Sequence, residues 1–196
     1  MHRVEHHGPV RRAFPFFVGT LLVGLVTGVP SAHADEPSPL YTLVDTAAAR
    51  LQTADPVAAF KWVKGGPIDD PPRVRQVLAA VAADAKGHGI DPGPVRAAFE
   101  DQIRATEGIE YARFGQWKLD PGAVPTTAPD LSASRAAIDG YNHTMVGELA
   151  LQQDTLRGPD CLISLDQARS AVVTARAFDP LYREALTLAT SSYCGP

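Results

Sequence analysis

Apolar side chains recur every three or four residues through most of the chain, which is the period of an amphipathic α-helix. Strict alternation of apolar and polar residues, which would predict β-strands, is nearly absent. The clearest helical stripe follows residue 38 and consists of Leu40, Leu43, Val44, Ala47, Leu51 and Ala54. The sequence therefore predicts an all-α fold.

Pairs of Asp and Pro mark where these helices begin. An Asp before the first turn accepts hydrogen bonds from its free backbone amides, and a Pro in that turn has no amide hydrogen to leave unbonded. Such pairs stand at 55–56, 70–71, 91–92 and 179–180, and glycines at 65–66 and 87–89 mark helix ends. These signals predict six helices, at 39–64 (bent or restarted at Pro56), 71–86, 92–118, 131–156, 161–177 and 180–193.

A proline-rich connector at 121–129 separates the third and fourth predicted helices. It could be a domain boundary. Neither side of it alone has an obviously sufficient apolar core. We therefore expect a single-domain helical bundle of about six helices.

Residues 1–34 have the features of a signal peptide. Three arginines give the segment a positive start, residues 13–29 are almost wholly apolar, and Ala32-His33-Ala34 supplies the small residues that signal peptidase recognises. We expect cleavage after Ala34, which leaves residues 35–196 as a secreted or periplasmic domain that is not held at a membrane. An uncleaved anchor is the alternative, although the apolar run is short and interrupted for a spanning helix.

Charge and histidine content narrow the range of partners. The leader holds three arginines and one glutamate, so the net charge changes from −4 for the whole chain to −6 for residues 35–196. A mildly acidic domain argues against a nucleic-acid partner. Only His88 and His143 lie outside the leader, and no ligand spacing predicts a metal site.

The two cysteines, Cys161 and Cys194, predict one disulfide, because an even count in an exported protein is typical of disulfide bonding. Cys161 opens the fifth predicted helix and Cys194 follows the sixth, so the two ends meet if these helices form an antiparallel hairpin. A catalytic thiol is the alternative, but no base partner for it can be identified.

The third predicted helix carries polar residues where its apolar face should continue. Its stripe consists of Phe99, Ile103, Thr106, Glu110, Phe114 and Trp117, and Glu107 borders it. A carboxylate among apolar side chains is costly unless it is paired or protonated. Glu110 is therefore either half of a buried ion pair that fixes the packing register or a group in a functional site.

Cations from other predicted helices fit the second interpretation. On the fourth helix Arg135 and Asn142 hold apolar positions of the stripe. Asn142 is interpreted mainly as a register-setting residue, whereas Arg135 pairs with Glu110 or faces an anionic ligand. Each of Arg50, Lys61 and Arg73 alone is more typical of a surface charge. Together, these cations and carboxylates suit a small ligand with several negative charges, because arginine binds carboxylates through two parallel hydrogen bonds.

Three segments resemble the secreted chorismate mutases of actinobacteria. They are residues 55–62 (DPVAAFKW), 101–111 (DQIRATEGIEY) and 130–135 (DLSASR), and the likeness extends from about residue 43 to residue 194. The resemblance implies an all-α, type II-like chorismate mutase that is usually a homodimer, with each site built within one chain. It implies an isomerase that converts chorismate to prephenate without a cofactor, in phenylalanine and tyrosine biosynthesis.

The resemblance also implies roles for individual residues. Lys61, Glu110 and Arg135 match the catalytic residues of the family. The residues that match its substrate-binding set are Arg50, Lys61, Arg73, Thr106, Glu107 and Arg135. The pairing of Cys161 with Cys194 matches as well.

One position departs from the family pattern. Many members place Gln or Glu in the second helix to hold the substrate, and this chain has Val77. Gln76 lies about 100° away around the helix and cannot take that place. The departure supports one alternative to an enzyme, an exported module that binds a small dicarboxylate without turnover. A second alternative is a purely structural bundle whose buried charges are ion pairs.

Overall fold

The structure is a computed structural model that describes residue 8 and residues 37–195. Apart from Gly8, the predicted signal peptide and its cleavage site lie outside the described residues. Within those residues no helix is both long and apolar enough to cross a membrane. The residues from 37 onward belong to one compact unit, which confirms that the proline-rich connector does not divide the domain.

Asp side chains cap three of the helices whose starts the Asp–Pro pairs mark. Asp70 accepts from the amide of Arg73 at 3.1 Å, and Asp91 accepts from that of Gly93 at 2.9 Å. Asp179 caps the last helix in the same way. The pair at 55–56 was assigned wrongly as a cap, because Asp55 lies inside a helix that begins at Ala54 and its carboxylate binds Arg113 instead.

The described residues form eight α-helices and one short 3-10 helix. The α-helices are α1 (Tyr41–Gln52), α2 (Ala54–Lys64), α3 (Pro71–Gly87), α4 (Pro92–Leu119), α5 (Leu131–Leu151), α6 (Gln153–Arg157), α7 (Cys161–Ala175) and α8 (Pro180–Ala189). The 3-10 helix, Pro121–Ala123, lies in the connector between α4 and α5.

Two of the six predicted helices are each divided in two, which accounts for the larger number. The first divides at Thr53, since Pro56 cannot donate the hydrogen bond that the carbonyl of Gln52 would accept in a continuous helix. The break therefore falls one turn before the proline. The second division lies at Gln152, where neither proline nor glycine marks it in the sequence.

The long helix α4 lies at the centre of the domain. It packs against α8, α3 and α2, while α1 packs against α5 and α7. Phe99 and Ile109 of α4 are fully buried beside Leu43 and Leu51 of α1 in one continuous apolar cluster. This packing brings α1 to α5 around a shared space on one side of α4.

A buried carboxylate and a disulfide fix the C-terminal segment to the bundle. Oδ2 of Asp101, on α4, accepts from Oγ of Ser191 at 2.7 Å and from Oγ of Ser192 at 2.6 Å. Cys161 and Cys194 form the predicted disulfide, with their Cα atoms 5.8 Å apart. The bond joins the start of α7 to the segment that follows α8.

Candidate active site

All seven residues that the sequence predicts as site residues line one pocket, which we call the cationic pocket. Five helices contribute to it, since Arg50 comes from α1, Lys61 from α2, Arg73 from α3 and Arg135 from α5, while α4 provides the polar residues. The lining consists of Arg50, Val57, Lys61, Ile68, Asp70, Arg73, Val74, Val77, Ile103, Thr106, Glu107, Glu110, Leu131, Arg135 and Ile138.

Arg50 forms the buried floor of the cationic pocket. It is 4% exposed, and its Nε donates to Oδ1 of Asn142 at 2.8 Å. Its Nη1 lies 3.4 Å from Oε1 of Gln102 and 3.3 Å from Oγ1 of Thr106. The guanidinium also lies 5.8 Å from the centre of the Phe99 ring. Among the described residues these partners are all neutral, and no carboxylate forms an ion pair with Arg50.

Burial lowers the pKa of Arg50 to about 10, since it penalises the charged form, and the nearby charge of Arg73 acts in the same direction. Arg50 nevertheless remains charged at neutral pH. A buried guanidinium held by neutral acceptors is a favourable place for an incoming anion, which would supply the missing opposite charge.

Lys61 and Glu110 form an ion pair across the pocket. Nζ of Lys61 donates to Oε2 of Glu110 at 2.7 Å and to the backbone carbonyl of Ile68 at 2.9 Å. The Glu110 side chain is 4% exposed, and that of Lys61 is 18% exposed. Lys61, and not Arg135, is thus the partner of Glu110, so the interpretation that paired Arg135 with Glu110 is wrong.

The two glutamates that α4 contributes to the pocket hold their protons more tightly than an exposed glutamate. Burial raises the pKa of Glu110, and the negative charges of Glu107 and Asp69 add to this, while Lys61 opposes it. Burial, followed by the charge of Asp69, also raises the pKa of Glu107. Glu110 is therefore a group that can change its protonation state when the charge in the pocket changes.

Arg73 and Arg135 are the more exposed cations of the pocket. Nη2 of Arg73 binds Oδ1 of Asp139 on α5 at 2.8 Å, and Nη1 lies 3.0 Å from Oε1 of Gln76. Arg135 is exposed, and within residues 37–195 it has no hydrogen-bond or ion-pair partner. The guanidinium of Arg135 is therefore available to a ligand.

Val77 lies on the pocket wall, as its place in α3 predicts. It is 5% exposed, and Ile103 and Ile138 provide further apolar wall on α4 and α5. Gln76 is exposed and does not line the cationic pocket. The wall at this point is apolar, where a polar side chain would be needed to hydrogen-bond a ligand.

Four features hold the site residues in place, and the sequence indicated only one of them, Asn142, without its role toward Arg50. Gln102 is fully buried beside Arg50, Asn142 orients that guanidinium, the carbonyl of Ile68 binds Lys61, and Asp139 pairs with Arg73. A buried Gln can be recognised in a sequence only when it occupies a position on the apolar face of a predicted helix. A backbone carbonyl gives none.

This arrangement suits the binding and polarisation of a dianion. The buried guanidinium of Arg50, the half-buried one of Arg73 and the exposed one of Arg135 can hold two carboxylates apart from one another. Lys61 offers a hydrogen-bond donor in the same pocket, and Glu110 would offer a second one when protonated. In a partly dry environment such donors stabilise a developing negative charge more strongly than water does.

Comparison with known proteins identifies the family. The model of the family described as chorismate mutase type II matches residues 42–111. The secreted chorismate mutase of Mycolicibacterium smegmatis is 59% identical over 167 residues, covering 85% of this chain and 92% of that protein. The secreted chorismate mutase of Mycobacterium tuberculosis is 50% identical over 176 residues, covering 89% of this chain and 88% of that protein.

A solved structure agrees with the sequence comparison. The chorismate mutase from Burkholderia thailandensis superposes with a TM-score of 0.76 and 33% identity, over 80% of this chain and 99% of that one. The likeness thus includes the helical fold that forms the cationic pocket. The chain belongs to the type II chorismate mutases, and within them to the secreted ones.

Proposed function

We propose that the protein catalyses the rearrangement of chorismate to prephenate in the cationic pocket. The observation that carries the proposal is Arg50, a buried cation whose partners among the described residues are all neutral and which faces the same space as the Lys61–Glu110 pair. Chorismate carries two carboxylates, and its rearrangement needs neither a nucleophile nor a cofactor. Such a reaction requires only that the substrate be held and its changing charge stabilised.

The cations would hold the substrate in its reactive shape. In this proposal Arg50 binds one carboxylate at the floor, Arg135 binds the other near the surface, and Arg73 assists. Thr106 supports a carboxylate through its hydroxyl, and Glu107 orients the ring hydroxyl. Fixing both carboxylates selects the compact conformer in which the two reacting carbons approach, which lowers the entropic part of the barrier.

The Lys61–Glu110 pair would stabilise the transition state. As the C–O bond breaks, negative charge grows on the ether oxygen, and hydrogen-bond donors at that oxygen accelerate the reaction. A preorganised donor of this kind typically contributes about 10²–10³ in rate. Glu110 can donate only when it is protonated, and its raised pKa supports that role.

A direct assay tests the proposal. Purified protein is incubated with chorismate, and prephenate is followed over time. We expect acceleration over buffer that is lost on replacing Arg50 by Ala. A folded sample that produces no prephenate above the buffer rate would contradict the proposal.

Two other outcomes would identify the alternative functions. Heat of chorismate binding in a calorimeter, with the substrate recovered intact, would indicate a binding module, for which Val77 in the pocket wall is the only support. If Lys61→Met left stability unchanged or higher and changed no ligand affinity, the ion pair would be structural only. The neutral partners of Arg50 argue against the structural bundle, since an ion-pair core would pair this charge too.

We propose in addition that the protein is a homodimer, as the resemblance implies. An apolar cluster supports this, because Trp62, Phe114 and Trp117 contact one another, with ring centroids 5.1 to 5.9 Å apart, and none is fully buried. Half-exposed aromatic clusters are typical of protein interfaces. Light scattering on the purified protein tests the state, and a monomer mass at micromolar concentration would contradict it.

The N-terminal leader is the part of the sequence that would direct export of the protein. Residues 1–34 are proposed to be a cleaved signal peptide, supported by the basic start, the apolar run and the Ala-His-Ala end. N-terminal sequencing of the exported protein tests this. The expected first residue is Asp35, and a retained Met1 would favour an uncleaved anchor.

A further inference from the structure

Three side chains that can ligate a metal ion meet between α3 and α5, outside the cationic pocket. Asp84 lies on α3 and His88 caps its end four residues later, so both project from one face, and His143 faces them from α5. Nδ1 of His143 lies 2.9 Å from Oδ2 of Asp84, and Nε2 of His88 lies 3.7 Å from Oδ1. One ligand atom from each residue lies within 4.8 Å of the other two.

We propose that Asp84, His88 and His143 form a zinc site that clamps α3 to α5. Two imidazole nitrogens and one carboxylate oxygen are a common zinc donor set, in which water takes the fourth position. Zinc bonds of about 2.0–2.2 Å place tetrahedral ligand atoms roughly 3.3–3.5 Å apart. The observed distances of 2.9 and 3.7 Å between the Asp84 oxygens and the two imidazole nitrogens are close to that spacing. Two of the three donors are imidazoles, which favours zinc over magnesium or calcium.

The three proposed zinc ligands are accessible to solvent, and contacts between α3 and α5 keep them close to one another. The side chains of Asp84, His88 and His143 are 28%, 36% and 73% exposed, so an ion can enter from solvent. The ring of His88 lies close to α5, since a Cβ built on Gly147 would be 4.0 Å from its Cε1. The two imidazole rings are 6.2 Å apart between centroids. The carboxylate thus lies between two nitrogen donors from different helices.

The zinc site shares a cavity with residues of the cationic pocket. This cavity is lined on one side by Arg73 and Val77, and on another by Asp84 and His143. Asn142, which orients Arg50, lines it as well. Bound zinc would therefore hold together the two helices that carry Arg73 and Arg135. It would stabilise the fold without contacting the substrate.

Calorimetric titration of the full chain with zinc chloride tests the proposal. Because His2, His6, His7 and His33 can also bind metal, the reference protein has these four leader histidines replaced by alanine. We expect one zinc per chain in this reference protein. The further pair of changes His88→Ala and His143→Ala should remove it, and Asp84→Asn alone should weaken it at least tenfold.

Three further measurements keep the test independent of folding failures. Far-ultraviolet circular dichroism must show unchanged helicity in each variant, which the exposure of these side chains leads us to expect. Zinc at about 100 times its dissociation constant should raise the melting temperature of the reference protein by roughly 5–10 °C, and that of the His88→Ala His143→Ala variant not at all. Cobalt(II) should give the intense visible absorption of a four-coordinate site only where His88 and His143 are present.

Two results would overturn the proposal. One is a reference protein that binds no zinc or cobalt at micromolar concentration. The other is a folded His88→Ala His143→Ala variant that binds zinc as tightly as the reference protein. Loss of chorismate mutase activity plays no part in either result, so the zinc site stands or falls independently of the proposed catalytic roles.

Discussion

Arg50 is buried and charged, and no carboxylate within residues 37–195 forms an ion pair with it. Its acceptors are two amide oxygens and one hydroxyl, which satisfy hydrogen bonding but leave the positive charge uncompensated. That charge costs stability in the free protein. A bound carboxylate would compensate the positive charge, so the free energy lost by burying Arg50 would be recovered when an anion binds. Arg135 differs from Arg50 because its side chain is exposed to solvent. Ligand binding would therefore restrict the conformation of Arg135, whereas Arg50 is already held in place.

Arg135→Ala provides the cleanest test of a binding cation. Arg135 is exposed and has no partner among residues 37–195, so its removal should leave the free energy of unfolding within about 0.5 kcal/mol. The kcat/KM for chorismate should fall about 10²-fold or more, because a carboxylate loses its two-point contact. Arg75→Ala, an exposed change on α3, is the matched control and should change neither quantity. Equal kinetics in the two variants would contradict the role of Arg135.

The pH dependence of the rate tests Glu110 as a donor. Burial raises the pKa of Glu110, so its protonated form persists to higher pH than that of an exposed glutamate. If the protonated form donates to the ether oxygen, kcat/KM should fall as pH rises through that raised pKa. Glu110→Gln should flatten this limb, since an amide donates at every pH.

The matched control for that profile is Glu184→Gln, an exposed change on α8. It should reproduce the wild-type pH dependence. A wild-type rate that stays constant from acid to neutral pH would remove the donor role from Glu110 and leave the polarisation to Lys61.

Val77→Gln should improve substrate binding. Val77 is buried in the pocket wall, where an amide could reach a bound ligand. One added hydrogen bond of about 1 kcal/mol should lower KM for chorismate about three- to tenfold, with a smaller change in kcat. Ala79→Gln, on the exposed side of the same helix, is the control. An unchanged or higher KM in Val77→Gln would show that the apolar wall already fits the substrate.

At the scale of single helices, the sequence predicted the position of each helix along the chain better than it predicted which face of the helix is buried. Helix starts were predictable because caps and prolines act locally, within one turn. On α4, Ile103, Thr106 and Glu110 of the predicted stripe line the pocket, whereas the fully buried face also carries residues outside that stripe, namely Gln102, Ala105 and Ile109. Glycines, alanines and polar residues on both faces make the helical pattern ambiguous. Only packing against α1 and α8 decides it.

The contact between α4 and the C-terminal segment depends on Asp101. Four donors converge on its carboxylate, namely both Ser191 and Ser192 hydroxyls, the Ser192 amide and the Arg104 guanidinium. Asp101→Ala leaves several of these groups without an acceptor and should cost about 2–4 kcal/mol in urea unfolding. Asp166→Ala, which breaks an exposed pair with Arg169, should cost less than about 1 kcal/mol.

The same carboxylate predicts a loss of stability in acid. Burial alone would raise the pKa of Asp101, but hydrogen bonds from Ser192, Ser191 and Arg104 outweigh it and lower that pKa. The stabilisation is therefore present above the pKa of the unfolded chain and is lost as pH falls through the lower, folded value. The difference in unfolding free energy between wild type and Asp101→Ala should shrink across that range. A difference that stays constant down to pH 2 would contradict this linkage.

For the whole molecule, the pairing of α7 and α8 was predictable because only two cysteines are present. The convergence of five helices on one pocket was not, because it depends on long-range packing around α4. The individual cations on α1, α2, α3 and α5 were conspicuous in the sequence and led to the hypothesis of an anionic ligand, but only the family resemblance assigned each of them to one site. Pockets between helices arise from crossing geometry, which periodicity along one helix does not encode.

The disulfide should contribute to stability far more than to catalysis. It closes a loop across 33 positions, and the chain-entropy model gives about 3–4 kcal/mol for a loop of this size. Replacing Cys161 and Cys194 by Ser should therefore lower the free energy of unfolding by about that amount, as should reduction of the wild type. The pocket-lining residues all lie outside α7 and α8, so kcat should change less than twofold well below the melting temperature. Tyr193 is the sensitive point, because it precedes Cys194 and is buried in the same apolar cluster as Phe99, whose ring lies against the Arg50 guanidinium. A large loss of kcat in a folded double variant would show that the disulfide fixes the pocket floor through Tyr193, and not the C-terminal segment alone.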